Sequence, residues 1–335
     1  MIRLAFALSF LLTFIASSLA QERVTVAAQR LSENGALFLA DARGYFKSEG
    51  LDVEMTAYRT EIEVAQAVAS GAADFGVAAY SAAAFDYAAH GFIRFLASQV
   101  EEKKGFEGNE IVASNISWAS GLRRVEDLVG KSVAITHLGS PAHYQLGQMA
   151  SLKHFDLAKL TLKPLQTYDA IALALAREKV QAAILPATYA RELMVENQAK
   201  LIGWYSEFGE QQLGAFFVNG KLPQANPAVV EKVVRAYRRG AADYATMVQL
   251  DRQKKRVSTV QTREVATVIA RYVYPGRPLG RAAAAVEFGA FPNDPNARLD
   301  LADLARQVEW YKAQKLIDAS ADAKSMVDES LVNTH

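Results

Sequence analysis

The chain has 335 residues, of which 51% are hydrophobic and 22% are charged, and it contains no cysteine. This composition is typical of a globular protein long enough for two domains, and it excludes a disulfide framework. The 37 basic and 36 acidic residues nearly balance. The chain therefore lacks the excess of positive charge that binding to nucleic acid requires, and we expect no nucleic-acid partner.

The first 20 residues have the pattern of a secretory signal peptide. Arg3 supplies a short positive region, and residues 4–16 form an apolar segment. Ser18 and Ala20 place small residues at the −3 and −1 positions of a cleavage site. The apolar segment is shorter than the roughly 20 residues that a membrane span needs. We therefore predict that residues 1–20 are a signal peptide cleaved after Ala20, and that the mature protein is not anchored in a membrane.

Short β-rich runs alternate with helical stretches from Val24 onward, which predicts an α/β fold with helices flanking mainly parallel sheets. In the first half, the predicted strands are Val24–Ala28, Leu51–Met55, Ala73–Ala78, Ile93–Ala97 and Glu110–Ala113, and the predicted helices are Ala36–Lys47, Glu61–Ser70 and Ser81–His90. These elements form one predicted lobe.

A second series of strands and helices begins near residue 126 and predicts a second, smaller lobe. Its predicted strands are Ser132–Thr136, Leu160–Leu162, Ala182–Leu185 and Leu201–Trp204, and its predicted helices are Pro141–His154 and Ala170–Arg177. Another apolar strand follows at Gly214–Val218, and the remainder beyond Pro227 has the period of helices.

Several segments resemble a known family. Asn34–Ala40, Arg43–Val53 and Val68–Val77 are similar to the opening of periplasmic binding proteins for aliphatic sulfonates, taurine, nitrate and thiamin-type pyrimidines. The Asp-Leu-x-Gly-Lys motif at Asp127–Lys131 and the run Gly139–Tyr144 complete the match. The resemblance extends from about Val24 to Tyr244, and the order and spacing of the motifs make it more specific than any one of them.

The resemblance implies the two-lobed fold of a type II periplasmic binding protein, with a ligand cleft between the lobes and a two-strand hinge. Residues 21–115 and 216–335 would form lobe I, and residues 116–215 would form lobe II. The implied hinge residues are Ser117, Trp118 and Gly214. The resemblance also implies a location in the periplasm.

Polar residues that follow the predicted strands are the candidate ligand contacts, because ligands of open α/β sheets bind beyond the carboxyl ends of the strands. The candidates are Arg30, Asn34, Arg59, Tyr80, Ser81, Ser140, Ala142, His143, Tyr168 and Thr188. Ser140, Ala142 and His143 occupy, by the resemblance, positions that hold the anionic head of a solute. The arginines could equally be surface charges, Ser81 a plain helix cap and Tyr80 a packing residue.

The leading hypothesis is the substrate-binding component of an ABC importer that captures a small organic anion, such as a sulfonate or a carboxylate, by hinge closure. We expect a monomer that delivers its ligand to a permease in the inner membrane. Glu33, Glu61 and Asp169 at the same strand ends leave a cationic or pyrimidine-like solute as an alternative. A periplasmic co-sensor for a receptor kinase also stays open.

Catalysis is not predicted. Pyrimidine synthases that resemble these binding proteins carry a cysteine-rich motif, which a chain without cysteine lacks. His137 and His143 are six residues apart, a spacing that fits neither a helical zinc site nor a site with thiol ligands. Val125 stands where a phosphate-binding loop ending at Gly130 would need glycine. We predict no catalytic residue, no cofactor and no metal site.

Overall fold

The computed structural model describes residues 21–253 and 255–328, so the predicted signal peptide lies outside the described residues. The strands, numbered in chain order, are β1 Glu22–Gln29, β2 Leu51–Tyr58, β3 Phe75–Ala79, β4 Ile93–Ser98, β5 Glu101–Glu102, β6 Asn109–Ser114, β7 Ser132–Ile135, β8 Thr161–Pro164, β9 Ala182–Pro186, β10 Ala199–Trp204, β11 Gln211–Gln212 and β12 Gly214–Asn219. The helices are α1 Gly35–Ala42, α2 Tyr45–Ser48, α3 Glu61–Ser70, α4 Ala82–Ala89, α5 Asn115–Ala119, α6 Pro141–Leu152, α7 Tyr168–Ala176, α8 Ala187–Val195, α9 Leu222–Ala225, α10 Pro227–Ala245, α11 Val260–Val273, α12 Leu279–Gly289 and α13 Leu301–Ala313. Across these described ranges, none of the helices combines the length and the apolar character that crossing a bilayer requires.

The strands form two separate five-stranded sheets, which confirms the predicted α/β class. The first sheet has the order β2-β1-β3-β12-β4, and the second has the order β10-β6-β9-β7-β8. Four strands of each sheet run in one direction, and the fifth, β12 or β6, runs antiparallel to both of its neighbours. Each lobe is built on one of these sheets.

Both faces of each sheet are covered, because the central strands are apolar on both sides. Along β12, Phe216 and Val218 face a core formed with α1, α10 and α11, whereas Ala215 and Phe217 face a core formed with α3, α4 and α13. Side chains of successive strand residues point to opposite faces, so one apolar run serves two cores. The second sheet repeats this pattern with two smaller cores.

The chain crosses between the sheets twice, through β5 and β11. These two short strands pair antiparallel, with Gln211 opposite Glu102 and Gln212 opposite Glu101. We name this pair the crossing ribbon. It joins β4 to β6 on the outward path and β10 to β12 on the return.

The first crossing lies earlier than the sequence predicted. Glu110–Ala113 was assigned to lobe I, but β6 pairs with β9 and β10 in the second sheet. The lobe boundary at residue 115 is therefore corrected to the segment between Glu102 and Asn109. The apolar pattern of a strand does not show which sheet it joins.

The predicted hinge residues are corrected accordingly. Ser117 and Trp118 lie on α5, directly after β6, and Trp118 packs against a core of the second lobe. Neither residue lies between the sheets. Gly214 is the first residue of β12 and is separated from β11 by one residue, and a side chain there would clash with the carbonyl oxygen of Ala78. Gly214 thus lies beside the crossing ribbon, and its role as a hinge residue stays a prediction.

A buried carboxyl group fastens the crossing ribbon to the second lobe. Glu102 is 1% exposed, and its Oε1 accepts hydrogen bonds from the backbone N–H of Asn109 at 2.8 Å and from Nε2 of Gln145 at 3.3 Å. Gln145 Nε2 also donates to Gln211 at 3.1 Å, and Gln211 donates to Gln307 on α13 at 3.2 Å. Burial outweighs these hydrogen bonds and raises the pKa of Glu102 to about 8.

The titration of Glu102 should make the protein less stable as pH rises. Between the ordinary carboxyl pKa and about 8, the folded chain keeps a proton that the unfolded chain has released. The free energy of unfolding then falls by about 1.4 kcal/mol per pH unit for that one proton. Urea denaturation from pH 5 to 8 should show a shallower decrease for Glu102→Gln than for the unchanged protein. Glu101→Gln on the same strand is the control and should keep the original slope; identical slopes for all three proteins would contradict this assignment.

Phe216 should be among the most costly side chains to truncate. Its ring is fully buried and stacks on Tyr237 at 4.5 Å and on Phe75 at 5.6 Å between ring centroids. Phe216→Ala should lower the free energy of unfolding by about 3–5 kcal/mol, measured by urea denaturation. Phe92→Ala removes a ring that is 52% exposed and should cost less than about 1 kcal/mol. Equal losses for the two variants would show that β12 is not the centre of the core.

Candidate ligand-binding cleft

A cavity with two chambers lies between the lobes. The outer chamber has a volume of about 170 Å³ and is lined by Gln29, Arg30, Leu31, Tyr58, Arg59, Glu61, Thr136, Gln166, Thr167, Tyr168, Asp169 and Tyr189. The inner chamber has a volume of about 30 Å³ and is lined by Gln29, Leu31, Glu33, Glu61, Ala79, Gln99, Asn109, Pro141, Tyr168, Leu213 and Phe291. The two chambers share four lining residues, so they lie next to each other.

The cavity lies where the fold predicts a ligand. Its lining comes from the carboxyl ends of β1, β2 and β3 in the first sheet and of β7, β8 and β9 in the second. Larger grooves of about 270, 300 and 530 Å³ are lined by the first lobe and by the crossing ribbon with its neighbours Lys103 and Glu210. The smaller cavity is therefore the one that both lobes enclose.

Two buried carboxyl groups line the inner chamber. Glu33 is 8% exposed and Glu61 is 4% exposed. Glu33 accepts a hydrogen bond from Ser32 at 2.9 Å, and Glu61 accepts a weak one from Thr136 of the second lobe at 3.4 Å. Burial raises the pKa of Glu33, and it raises the pKa of Glu61 to about 7.

A neutral histidine stands beside Glu61. His137 Nδ1 of the second lobe lies 3.5 Å from Glu61 Oε1. Burial lowers the pKa of His137 to about 4, so the imidazole carries no charge at neutral pH and leaves the carboxyl without a cationic partner.

Tyr168 and Tyr189 form an aromatic wall of the outer chamber. Their ring centroids lie 5.4 Å apart. Burial, and then the charges of Glu61 and Glu33, raise the pKa of Tyr168 well above its usual value. Its phenol is therefore neutral and can donate a hydrogen bond.

Three of the ten predicted contact residues line the cavity. Arg30 and Arg59 line the outer chamber as exposed side chains, and Tyr168 lines both chambers. Neither arginine reaches the inner chamber. The two predicted arginine contacts thus lie at the outer chamber only.

Tyr80 and Ser81 do not line the cavity. Tyr80 is 1% exposed, stacks with Phe85 and accepts a hydrogen bond from Gln212. Ser81 caps α4 by accepting a hydrogen bond from the backbone N–H of Ala84 at 3.2 Å. Tyr80 is therefore a packing residue and Ser81 a helix cap, which are the alternatives that the sequence left open.

The predicted anion-binding turn at the start of α6 is occupied by contacts within the protein. Ser140 caps the helix by accepting from the backbone N–H of His143 at 3.3 Å, and Ala142 packs in a core of the second lobe. His143 Nδ1 accepts a hydrogen bond from the backbone N–H of Gly139 at 3.0 Å. Its ring lies against Trp310 of α13. Pro141 alone from this turn lines the inner chamber.

Asn34 and Thr188 are also removed from the cavity lining. Asn34 is 1% exposed; it donates to the carbonyl oxygen of Gln29 at 2.8 Å and accepts from Gln99 Nε2 at 2.5 Å. Thr188 is buried on α8 close to Gly289. Asn34 therefore holds two residues that do line the cavity, rather than contacting a ligand itself.

The sequence did not single out Gln29, Gln99 or Asn109 as contact residues. Gln99 directly follows β4, so the rule that selected the other strand ends could have found it. Asn109 begins β6, and its place in the cavity depends on which sheet β6 joins.

The lobes also contact each other outside the cavity. Gly139 of the second lobe accepts a hydrogen bond from the backbone N–H of Ala82 at 2.9 Å. Tyr311 on α13 donates to the carbonyl oxygen of Ser140 at 3.2 Å, and Trp310 packs against Gly147, where any side chain would clash. Helices α12 and α13 of the first lobe contact α8 and α6 of the second.

Residues 32–249 match the family model described as NMT1/THI5 like. No curated protein matches the chain. Several solved structures have the same fold at low sequence identity. The periplasmic aliphatic sulphonate-binding protein SsuA from Escherichia coli is 15% identical with a TM-score of 0.71, over 92% of this chain and 98% of that one.

Two further structures extend this likeness. The alkanesulfonate-binding protein SsuA from Xanthomonas axonopodis pv. citri, bound to MOPS, is 18% identical with a TM-score of 0.69, over 91% of this chain and 98% of that one. The periplasmic nitrate-binding protein NrtA from Synechocystis PCC 6803 is 12% identical with a TM-score of 0.64, over 92% and 85%. At these identities the likeness shows the two-lobed fold.

The family match covers well over half of the sequence and spans most of both lobes, the crossing ribbon and nearly all of the cavity lining. The chain belongs to the NMT1/THI5-like family.

Proposed function

We propose that this chain is the solute-binding component of an ABC importer, and that it closes two lobes over one small organic solute and delivers it to a permease. The observation that carries the proposal is the cavity between the sheets, which is lined by strand ends of both lobes. A ligand that contacts both lobes favours the closed form over the open one.

Two independent observations support a location in the periplasm. The N-terminal sequence has the pattern of a cleaved signal peptide, and the SsuA and NrtA structures from Escherichia coli and Synechocystis are described as periplasmic proteins. We propose that the mature chain is a periplasmic monomer.

Binding without chemistry is the activity that this cavity supports best. Its polar lining consists of amide, carboxyl, hydroxyl and guanidinium groups. The sequence contains no cysteine, so a thiol nucleophile is not available. The closing motion uses the crossing ribbon as its hinge, since only β5 and β11 join the two sheets among the described strands.

The contact between Ala82 and Gly139 gives a direct test of closure. A Cβ atom built on Gly139 would lie 2.6 Å from the Cβ of Ala82, so the two loops approach closely in this form. Ala82→Leu adds three carbon atoms to this contact, and in an open form the same side chain would have room.

We expect a thermal-shift panel of sulfonates, carboxylates, amines, amidines and aminopyrimidines to identify at least one stabilising ligand. With that ligand, small-angle scattering should show a smaller radius of gyration for the unchanged protein, and Ala82→Leu should bind at least about tenfold more weakly with less compaction. Ala83→Leu, one residue further along α4, is the matched control. The function would be contradicted if no compound in the panel binds, or if Ala82→Leu binds and compacts like the unchanged protein.

A further inference from the structure

We propose that the inner chamber binds a nitrogen cation or an amino group, so that the ligand is an amine, an amidine or an amino-substituted heterocycle held between Glu33 and Glu61. This inference rests on the proposed function, because it assumes that the cavity is where the solute binds. It departs from the organic anion that the sequence favoured.

The first argument is that the amide donors of the inner chamber are already engaged. Gln29 Nε2 donates to the carbonyl oxygen of Arg59 at 3.1 Å, Gln99 Nε2 donates to Asn34 at 2.5 Å, and Asn109 Nδ2 donates to Gln145 at 3.1 Å. These groups are turned toward protein acceptors. Each amide therefore uses one of its two N–H groups on a protein acceptor, and only the second could reach the oxygen atoms of a sulfonate or a carboxylate.

The second argument is that acceptors remain. The carboxyl groups of Glu33 and Glu61 each receive one side-chain and one backbone hydrogen bond, whereas a carboxylate can accept about four. Gln99 Oε1 is buried without a hydrogen-bond partner among the described residues, because the other half of this amide is held by Asn34. A ligand end that carries several N–H groups would satisfy these acceptors.

The third argument is charge. No lysine or arginine lines the inner chamber, and burial lowers the pKa of His137 and of His143, so both rings are neutral. An anionic group placed there would have no cation beside it and would keep both carboxyl groups protonated, so its own buried charge would stay uncompensated. A cationic group would instead form charge-assisted hydrogen bonds to both carboxylates.

The fourth argument is size. The inner chamber, at about 30 Å³, has room for a group of one or two heavy atoms, since a water molecule needs about 10–15 Å³ by the same measure. An amino group, or one NH2 group of an amidinium together with its carbon, fits this space. The body of the ligand would then lie in the outer chamber against Tyr168 and Tyr189, with Arg30 and Arg59 near its far end.

The test compares probes that share one ring and differ in charge. Benzamidine is the cationic probe, benzamide the neutral one, and benzoate and benzenesulfonate the anionic ones. Titration calorimetry at pH 7.5 should show benzamidine binding at least about tenfold more tightly than either anion. Glu33→Gln and Glu61→Gln should each weaken benzamidine binding about tenfold or more, since each removes a charge-assisted contact.

Glu196→Gln is the control variant, because Glu196 is an exposed carboxylate at the end of α8, outside both chambers. It should bind benzamidine like the unchanged protein. Circular dichroism and thermal denaturation of all three variants verify that they are folded.

The pH dependence of the unchanged protein tests the same idea without a variant. The ionisable groups that face Glu61 or share its chambers are His137, Tyr168, Glu33, Asp169, Tyr58, Tyr189, Arg30 and Arg59. Benzamidine stays protonated from pH 5.5 to 8.5 and prefers ionised Glu61, so its binding should release a proton and tighten as pH rises through about 7. In Glu61→Gln this dependence should be reduced.

The outcomes separate the two proposals. The cation site would be overturned if benzoate or benzenesulfonate binds tightly and compacts the protein, if this binding weakens as pH rises, and if neither glutamine variant affects it. That result would leave the binding function intact. Absence of binding by all four probes, and by the broader panel, would overturn both.

Discussion

The antiparallel pairing of β5 and β11 is the constraint on which the rest of the structure depends. Two residues from each crossing form this ribbon, and both passages of the chain between the two five-stranded sheets run through it. Because it lies at the carboxyl ends of the strands that precede it in each lobe, it directs those ends toward one shared cavity. Gln145 and Gln307 then attach α6 and α13 to the ribbon through Gln211.

Local sequence predicted most of the elements but not their assembly. The predicted helix Glu61–Ser70 has the bounds of α3, and the capping box that Thr60 forms with Glu63 shows why it begins there. Strand β6 was also recognised as a strand but was placed in the wrong lobe. Its pairing with β9 and β10 depends on residues about 70 to 90 positions further along the chain, and an apolar run does not encode such partners.

The site was predictable in position and less so in detail. The rule that ligands bind at strand ends predicted a site where the cavity lies, and Tyr168 and the two outer arginines line that cavity. It could not show that Ser140 and His143 are used by helix capping and by a contact with Gly139. Nor could it show that the inner chamber is lined by the acidic residues Glu33 and Glu61 and not by the arginines. Whether a polar side chain faces a ligand or a protein partner depends on tertiary contacts.

These contacts give the cleft an inner end with acceptors and an outer end with cations. A backbone N–H at the start of α3 stabilises the ionised carboxylate of Glu61, whereas removal from water destabilises it. The second effect is larger and raises the pKa of Glu61 to about 7. In a closed form without ligand, this buried carboxyl group has no cation beside it, which makes that form less stable. A ligand that supplies the missing positive charge would therefore stabilise the closed form.

The measurement that tests closure most directly is the distance between the lobes in solution. Because the sequence contains no cysteine, spin labels would attach only at two introduced cysteines, Thr56→Cys on β2 and Leu173→Cys on α7. Both positions are exposed. Electron–electron double resonance should show a longer and broader distance distribution without ligand, and a shift to a single shorter distance when a ligand from the panel is added. One unchanged distance in both conditions would contradict closure as the basis of function.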